Sequence, residues 1–289
     1  MPVGIARRAI AAHRLLMSKS LVQRQFGANA ANYASSEVHA SGASLKRLIE
    51  LARPRADWQV LDIATGAGHT AAAFAPHVAR VVATDVTEEM LAEARLLAER
   101  KGLANIETAP AEAEHLPFAD ASFNLVTCRI AAHHFDNVAA FLAEVRRVLE
   151  PAGVFAFVDN LAPDKVTTPE LSEAELLAAA DAYNAFEKLR DPSHARALTA
   201  TEWAERVRSA GFVIEHEEVL AKPMLFSAWC RNTSVPAATV PELAARLRKD
   251  HGLRAFLKPQ PAGGDVLMQL RELVLIARKP RGEDTASRG

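Results

Sequence analysis

The sequence predicts a doubly wound α/β fold: a Rossmann-like, mostly parallel sheet with an antiparallel C-terminal edge strand, an N-terminal helical segment and a helical cap. Between Trp58 and Asp159, short runs of β-branched and apolar residues alternate with stretches of helical periodicity. This alternation is typical of a parallel sheet that is covered by helices on both faces. Within it, a glycine turn joins a buried strand to a helix, and doubly wound folds bind ligands at such turns.

The strands and helices of this core are predicted from periodicity and from helix stop signals. Strands are expected over residues 59–63, 80–85, 106–109, 123–128 and 154–159. One helix is predicted over 88–101, where apolar residues recur every three or four positions up to Gly102. A second helix is predicted over 138–149, ahead of Pro151.

Beyond the fifth strand the pattern changes to longer helices and alternating strands. Helices are predicted over 170–189, 201–210 and 241–249, and strands that pair at the sheet edge over 213–220 and 266–277. We interpret residues 25–279 as one domain with a cofactor-binding core at 55–160. Residues 163–196 and 222–264 are then two segments of a cap, because they add helices, aromatic residues and prolines that the sheet does not need.

The two ends of the chain have a different composition. Residues 1–24 contain no Asp or Glu but several Arg and Lys, and we interpret them as a mobile basic leader. This composition also fits a mitochondrial targeting segment, which is the alternative. Residues 280–289 are polar and contain glycine, which predicts a disordered tail.

Composition and charge argue against several classes of protein. The 34 Lys and Arg residues are balanced by 35 Asp and Glu residues, so no global field attracts nucleic acid or anionic lipid. Cys128 and Cys230 lie far apart and match no zinc or disulfide spacing. No apolar run approaches the ~18 residues of a membrane span. The sequence therefore predicts a cytoplasmic protein that does not span a membrane. It also predicts that the protein binds neither nucleic acid nor a metal ion.

The most informative stretch is Val-Leu-Asp-Ile-Ala-Thr-Gly-Ala-Gly at residues 60–68. Gly66 and Gly68 allow the backbone to approach a ligand closely. Asp85 closes the next predicted strand, where a carboxylate can accept hydrogen bonds from both hydroxyls of a ribose. These features predict a nucleoside site.

Two classes of nucleotide-binding protein fit the glycine turn. Residues 66–71 also match the G-x-G-x-x-A pattern of NAD- or flavin-dependent oxidoreductases. Asp62 discriminates between the two, because a carboxylate beside the turn repels a pyrophosphate but attracts a cationic ligand. A cofactor-binding protein without catalytic activity is a third alternative.

Five motifs in the expected order resemble those of class I S-adenosylmethionine-dependent methyltransferases, in the ubiquinone/menaquinone-biosynthesis-like, methyltransferase type 11 branch. The motifs are residues 60–68, 84–91 (Thr-Asp-Val-Thr-Glu-Glu-Met-Leu), 111–118 (Ala-Glu-Ala-Glu-His-Leu-Pro-Phe), 122–126 (Ser-Phe-Asn-Leu-Val) and 148–153 (Val-Leu-Glu-Pro-Ala-Gly). The resemblance extends from about Gln25 to Gly211 and includes residues 26–42, which are similar to a segment that folds over the cofactor in that family.

The resemblance implies an S-adenosylmethionine site in which the glycine turn holds the methionine end, a carboxylate the ribose and apolar side chains the adenine. The residues that it implies are Tyr33, Asp62, Ala64, Thr65, Gly66, Gly68, Asp85, Val86, Met90, Glu112, Ala113 and Arg129. Glu112 stands where the family usually has Asp. Arg129 is expected either near the methionine carboxylate or pointing to solvent.

The acceptor is predicted to be a small, partly apolar molecule that binds at the carboxyl ends of the strands. His133 and His134 follow the fourth strand, and at most one of them is expected to act as a base. Further candidates for contact with the acceptor are Asp159, Asp191, His194 and Trp229, and Phe226 and Phe256 are candidates for an apolar wall. The sequence leaves the acceptor and the methylated atom open.

Overall fold

The computed structural model describes residues 21–27, 30 and 42–281. Its strands are β1 (Gln59–Ile63), β2 (Arg80–Asp85), β3 (Ile106–Pro110), β4 (Phe123–Arg129), β5 (Leu149–Asn160), β6 (Val213–Leu225), β7 (Gln260–Ala262) and β8 (Asp265–Arg278). Its helices from residue 42 onwards are α1 (Ala43–Ala52), α2 (His69–Phe74), α3 (Glu88–Arg100), α4 (Val138–Val148), α5 (Glu173–Arg190), α6 (Ala200–Ser209), α7 (Phe226–Asn232), α8 (Val240–Lys249) and α9 (His251–Leu257). Residues 21–27 are also helical.

The strands form one sheet in the order β3-β2-β1-β4-β5-β8-β6, with β7 paired to β8. Strands β1 to β5 pair in parallel, and β8 pairs antiparallel with both β5 and β6. The strand order reverses between β1 and β4. In a doubly wound sheet the connections diverge at that point and leave a crevice at the carboxyl ends of the strands. The predicted fold class is confirmed.

The last two long strands differ in detail from their prediction. Strand β8 lies one position inside the sheet, and β6 occupies the edge. Strand β6 also continues past Leu220 to Leu225, through Pro223. Proline lacks a backbone N–H, so a strand tolerates it at a sheet edge, where one side of the strand needs no partner. The predicted second cap segment therefore begins within β6.

Helix α5 begins three residues later than predicted because a capping box fixes its start. The Ser172 hydroxyl accepts a hydrogen bond from the Glu175 amide, and the Glu175 carboxylate accepts one from the Ser172 amide. Both groups satisfy backbone donors that a helix leaves unpaired at its first turn. Loop residues 161–172 thus separate β5 from α5.

Three apolar clusters hold the layers together. One cluster packs α4 and α6 on one face of the sheet around Phe141, Phe157 and Trp203, and a second packs α1 and α2 on the other face. A third cluster joins α5 to α7, α8 and α9. Burying a large apolar side chain stabilises the fold by about 1.5–3 kcal/mol, so the third cluster stabilises the packing of these four helices against one another.

No helix within the described residues is long and apolar enough to cross a membrane.

Candidate functional site

The turn between β1 and α2 brings backbone close to a cleft. Ala64, Gly66 and Gly68 all have positive φ angles, of 51°, 55° and 84°. A Cβ atom at residue 68 would lie 2.8 Å from the Cβ atom of Ala94 on α3, a distance that side chains do not tolerate. Glycine is therefore required at residue 68 both for its backbone conformation and for the close packing of the turn on α3.

Asp85 ends β2 directly beside this turn. Its Oδ2 atom accepts a hydrogen bond from the Gly66 amide at 2.9 Å, and its Oδ1 atom accepts one from the Thr87 amide at 2.9 Å. Burial raises the pKa of Asp85, while the amides of Thr87 and Gly66 favour its ionised form. The carboxylate lines the cleft.

Asp62 is buried beneath the turn and does not line the cleft. Its oxygens accept hydrogen bonds from the hydroxyls of Thr65 and of Thr127, the latter at 2.6 Å. Burial raises the pKa of Asp62 to about 6, although both hydroxyls and the charge of Arg129 act in the opposite direction. Asp62 therefore holds the turn through its hydrogen bond to Thr65 and does not face the cleft directly.

The cleft itself encloses about 1150 Å³ of space between protein atoms, part of it open to solvent. It lies where the strand order reverses. Its walls are formed by Val22, Phe26, Ala64, Thr65, Gly66, Ala67, His69, Thr70, Asp85, Val86, Met90, Ala111, Glu112, Ala113, Glu114, Arg129, Ile130, Ala131, His134, Phe135 and Asp136. Of the predicted cofactor residues, Asp62 and Gly68 lie behind this wall, and Tyr33 lies outside the described residues.

Arg129 turns into the wall of the cleft. Its Nε atom donates a hydrogen bond to the Thr70 hydroxyl at 3.0 Å. Burial lowers the pKa of Arg129, and the carboxylates of Glu272 and Asp62 oppose that shift. Of the two positions expected for the Arg129 side chain, the structure therefore favours the one beside the cleft over the one that points to solvent.

The helical residues 21–27 close one side of the cleft. Val22 and Phe26 line it. Phe26 begins the segment that the family resemblance predicts to fold over the cofactor, whereas no sequence signal pointed to Val22. The Gln23 side chain donates to the Val86 carbonyl at 2.9 Å, and the Gln25 side chain donates to the Thr233 carbonyl at 3.0 Å. These contacts fasten the segment to the core on one side and to the cap on the other.

A buried pair of polar side chains lies behind the part of the cleft that His134 lines. His133 lies in a short helical turn after β4, and its Nδ1 atom is 2.6 Å from Oδ1 of Asp159 at the end of β5. Burial alone lowers the pKa of His133, but the charge and hydrogen bond of Asp159, together with the charges of Glu187 and Asp191, raise that pKa overall. The pair is adjacent to the cleft, and neither residue lines it.

Of the two histidines predicted as candidate bases, His134 is the one that lines the cleft. Its ring packs edge-on against Phe26 at 5.0 Å between ring centres and lies 4.2 Å from the ring of His133. Burial and the neighbouring charge of His133 lower the pKa of His134 to about 3. The imidazole is therefore neutral near pH 7.

Asp191 and His194 belong to the loop after α5, which packs behind His134. Asp191 accepts hydrogen bonds from the amide and the hydroxyl of Ser193. The Nε2 atom of His194 lies 2.9 Å from Oδ1 of Asn184, and burial together with the charge of His133 lowers the pKa of His194 to about 2. Neither predicted residue lines the cleft.

The structure does not bring Trp229 to the cleft. Its ring is 1% exposed, stacks on Phe186 at 4.7 Å and lies 4.7 Å from the Arg190 guanidinium. Phe226 and Phe256 are buried in the same apolar cluster. These three aromatic side chains pack within the apolar cluster that joins α5 to α7, α8 and α9, and they do not line the cleft.

No group of three or more side chains suited to a metal ion occurs among the described residues.

Comparison with known proteins agrees with this geometry. Residues 61–157 match the methyltransferase domain family. YcgJ of Bacillus subtilis, an uncharacterised methyltransferase, is 38% identical over 212 residues, which span 73% of this chain and 79% of YcgJ. A demethylmenaquinone methyltransferase of Chlorobaculum parvum is 38% identical over 106 residues, which span 36% of this chain and 42% of that enzyme.

Two crystal structures have a similar fold over most of this chain. YcgJ superimposes with a TM-score of 0.75 and 32% identity, covering 83% of this chain and 99% of YcgJ. A Bacillus halodurans protein assigned as a methyltransferase superimposes with a TM-score of 0.74 and 37% identity, covering 83% and 100% of the two chains. The fold and the cleft thus define a class, the S-adenosylmethionine-dependent methyltransferases. This chain belongs to the methyltransferase family that includes YcgJ.

Proposed function

We propose that this protein binds S-adenosylmethionine in the cleft and transfers its methyl group to a small, partly apolar acceptor. The charge of the cleft supports this proposal most directly. Acidic side chains line it, and Arg129 is the only Lys or Arg that the described residues contribute to its wall. An acidic wall suits a ligand that carries an ammonium and a sulfonium, and it disfavours the pyrophosphate of NAD or a flavin dinucleotide.

The residues of the cleft fit S-adenosylmethionine from end to end. Asp85 is placed to accept hydrogen bonds from the ribose hydroxyls. Apolar Val86 and Met90 would flank the adenine, with Glu112 and the Ala113 amide at its polar edge. Arg129 and the turn at 64–68 would hold the methionine end.

Methyl transfer requires alignment and exclusion of water more than covalent chemistry from the protein. Bound S-adenosylmethionine supplies a methyl group on a cationic sulfur. Val22 and Phe26 shield the cleft from solvent, and His134 provides the polar contact at the acceptor end. The cap segments 163–196 and 222–264 reach the site only indirectly in the described residues, through contacts to His134 and Gln25. Their role in acceptor choice stays a prediction.

Isothermal titration of the full-length protein tests the proposal. We expect binding of S-adenosylmethionine and S-adenosylhomocysteine and no binding of NAD. Tighter binding of NAD would favour the oxidoreductase alternative. If cofactor binds but no methyl transfer occurs to a library of phenols, quinols and amines, the alternative of a non-catalytic binding protein gains.

The charge of Asp62 gives a pH-dependent prediction. Because the pKa of Asp62 is about 6, its carboxylate is ionised at pH 7.5 and mostly neutral at pH 5. We expect S-adenosylmethionine to bind more weakly at pH 5 than at pH 7.5, and Asp62→Asn to lower the affinity at pH 7.5 and reduce this difference. Titration of both proteins at both pH values measures it. An equal pH dependence in the variant would remove Asp62 from the recognition of the cofactor.

Truncations test the helical segment over the cleft. Deleting residues 2–16 is expected to leave the affinity for S-adenosylmethionine and the melting temperature unchanged. Deleting residues 2–33 removes Val22 and Phe26 from the cleft wall and is expected to weaken binding by about tenfold, because apolar contacts with the ligand are lost. Equal loss in both truncations would show that the leader belongs to the folded unit.

A further inference from the structure

We propose that the loop at Asp191–Ser193 fixes the tautomer of His134, so that its Nε2 atom offers a lone pair to the cleft and accepts a hydrogen bond from an O–H or N–H group of the acceptor. Asp191 and Ser193 are then positioning residues that determine specificity. This inference rests on the proposed function, because it concerns the acceptor end of the same cleft.

The hydrogen bonds around Nδ1 of His134 determine where the ring proton lies. Nδ1 is 3.1 Å from the Ser193 carbonyl oxygen and 3.2 Å from the Ser193 hydroxyl. A carbonyl oxygen can only accept a hydrogen bond. The Ser193 hydroxyl donates its proton to Oδ1 of Asp191 at 2.6 Å, so toward His134 it can also only accept. Nδ1 must therefore carry the proton, and in the neutral ring Nε2 does not.

The loop that imposes this tautomer is held firmly. Asp191 accepts from both the amide and the hydroxyl of Ser193. Lys188 donates to the carbonyls of Pro192 and His194, at 2.7 Å and 2.6 Å. The His133 carbonyl accepts from the amides of residues 195 and 196, which ties the far end of the loop to the histidine turn.

The Nε2 atom of His134 is available to a ligand in the cleft. The structure shows no hydrogen bond from Nε2 to any described residue, and the ring lines the cleft. Charged and titratable groups around the ring come from its own turn, as His133, and from the end of α5 and its loop, as Arg190, Asp191 and His194. Burial and the positive charge of His133 disfavour a second proton on His134, so the lone pair persists near neutral pH.

The tautomer selects the chemistry of the acceptor. With Nδ1 protonated, Nε2 can orient a hydroxyl or amine by accepting its proton in a hydrogen bond. With Nε2 protonated, which free histidine prefers, the same ring would instead favour a carbonyl or carboxylate. The four acidic side chains in the cleft wall also disfavour an anionic acceptor.

Nitrogen-15 NMR of the full-length protein, labelled at histidine, reads the tautomer without any acceptor. We expect His134, assigned by the loss of its signals in His134→Gln, to show a protonated Nδ1 and an unprotonated Nε2 from pH 6 to pH 8. Asp191→Ala is expected to shift His134 toward the Nε2–H form, because the Ser193 hydroxyl is released and its amide loses its partner. Asp191→Asn is the matched control, since its amide oxygen can still accept both bonds. The exposed His77 should give the same signals in every sample.

A wild-type His134 with a protonated Nε2 would overturn the inference even if Asp191→Ala did not fold. So would an unchanged tautomer in a folded Asp191→Ala. Titration of the same samples with S-adenosylmethionine separates this failure from a failure of the proposed function. If the wild type does not bind S-adenosylmethionine, the proposed function is refuted. If it binds normally but His134 has the other tautomer, only the role of the loop is refuted. With an acceptor in hand, Asp191→Ala should lower kcat by about 10²-fold through misplacement, and Asp191→Asn should restore it.

Discussion

Asp85→Ala is expected to weaken the binding of S-adenosylmethionine by about 1.5–3 kcal/mol, roughly 10- to 150-fold. The carboxylate lines the cleft at the end of β2, where it can accept two charge-assisted hydrogen bonds from a ribose. It also accepts a hydrogen bond from the Gly66 amide, so its removal loosens the turn that we propose to hold the methionine end. Isothermal titration at pH 7.5 measures the change in Kd.

The stability of the Asp85→Ala variant separates a binding effect from an unfolding effect. Burial raises the pKa of Asp85, which means that the ionised carboxylate is desolvated in the absence of ligand. Its loss therefore removes an unfavourable contribution together with two hydrogen bonds, and we expect little change in melting temperature. Asp57→Ala, at an exposed carboxylate, is the control. An unchanged Kd in a folded Asp85→Ala would show that this carboxylate does not hold the cofactor.

The central strands and the glycine turn were predictable because local signals specify them. Strands β1 and β2 have the predicted bounds: each is a short apolar run that ends in a carboxylate or leads into a glycine turn. A parallel sheet then brings the carboxyl ends of neighbouring strands together. For this reason sequence alone placed Asp85 beside Gly66.

Contacts between distant segments were not predictable from local pattern. Phe26 begins the segment that the family resemblance predicts to fold over the cofactor, and it lines the cleft together with Val22. The periodicity of so short a helix does not identify the surface that the helix covers. The contact between His134 and Ser193 joins residues 59 positions apart, and only the packing of α5 and its loop brings them together. The sequence named His134 and Asp191 separately, and the structure connects them through Ser193.

Aromatic residues of the cap show a second limit of sequence reasoning. Trp229 belongs to a proline-rich segment, and an aromatic side chain there suits a ligand pocket or a core equally well. The structure resolves the choice, since Trp229 stacks on Phe186 within the third apolar cluster. The sequence shows that such a side chain is large and apolar. Which residue or ligand it contacts depends on how helices that are far apart in the sequence pack together.

His194 makes the folded protein sensitive to acid. In the folded protein the pKa of His194 is about 2, below the ~6.5 of an unfolded histidine. Between these two pH values, His194 binds a proton in the unfolded chain but not in the folded one. The stability that the neutral His194 contributes is therefore complete above pH 6.5 and is lost as the pH falls. The slope approaches ~1.4 kcal/mol per pH unit, which amounts to about 2 kcal/mol between pH 7.5 and pH 5.

His194→Gln is expected to remove about 2 kcal/mol of the acid-induced loss of unfolding free energy between pH 7.5 and pH 5, because glutamine cannot gain a proton on unfolding and can still donate to Asn184. Asp62 acts in the opposite direction, since its pKa is raised to about 6, but it is common to both proteins and cancels in the comparison. Urea unfolding of the wild type, His194→Gln and the exposed-site control His77→Gln at both pH values measures the difference. Equal pH dependence in the wild type and His194→Gln would mean that the buried His194 is not held neutral by its surroundings.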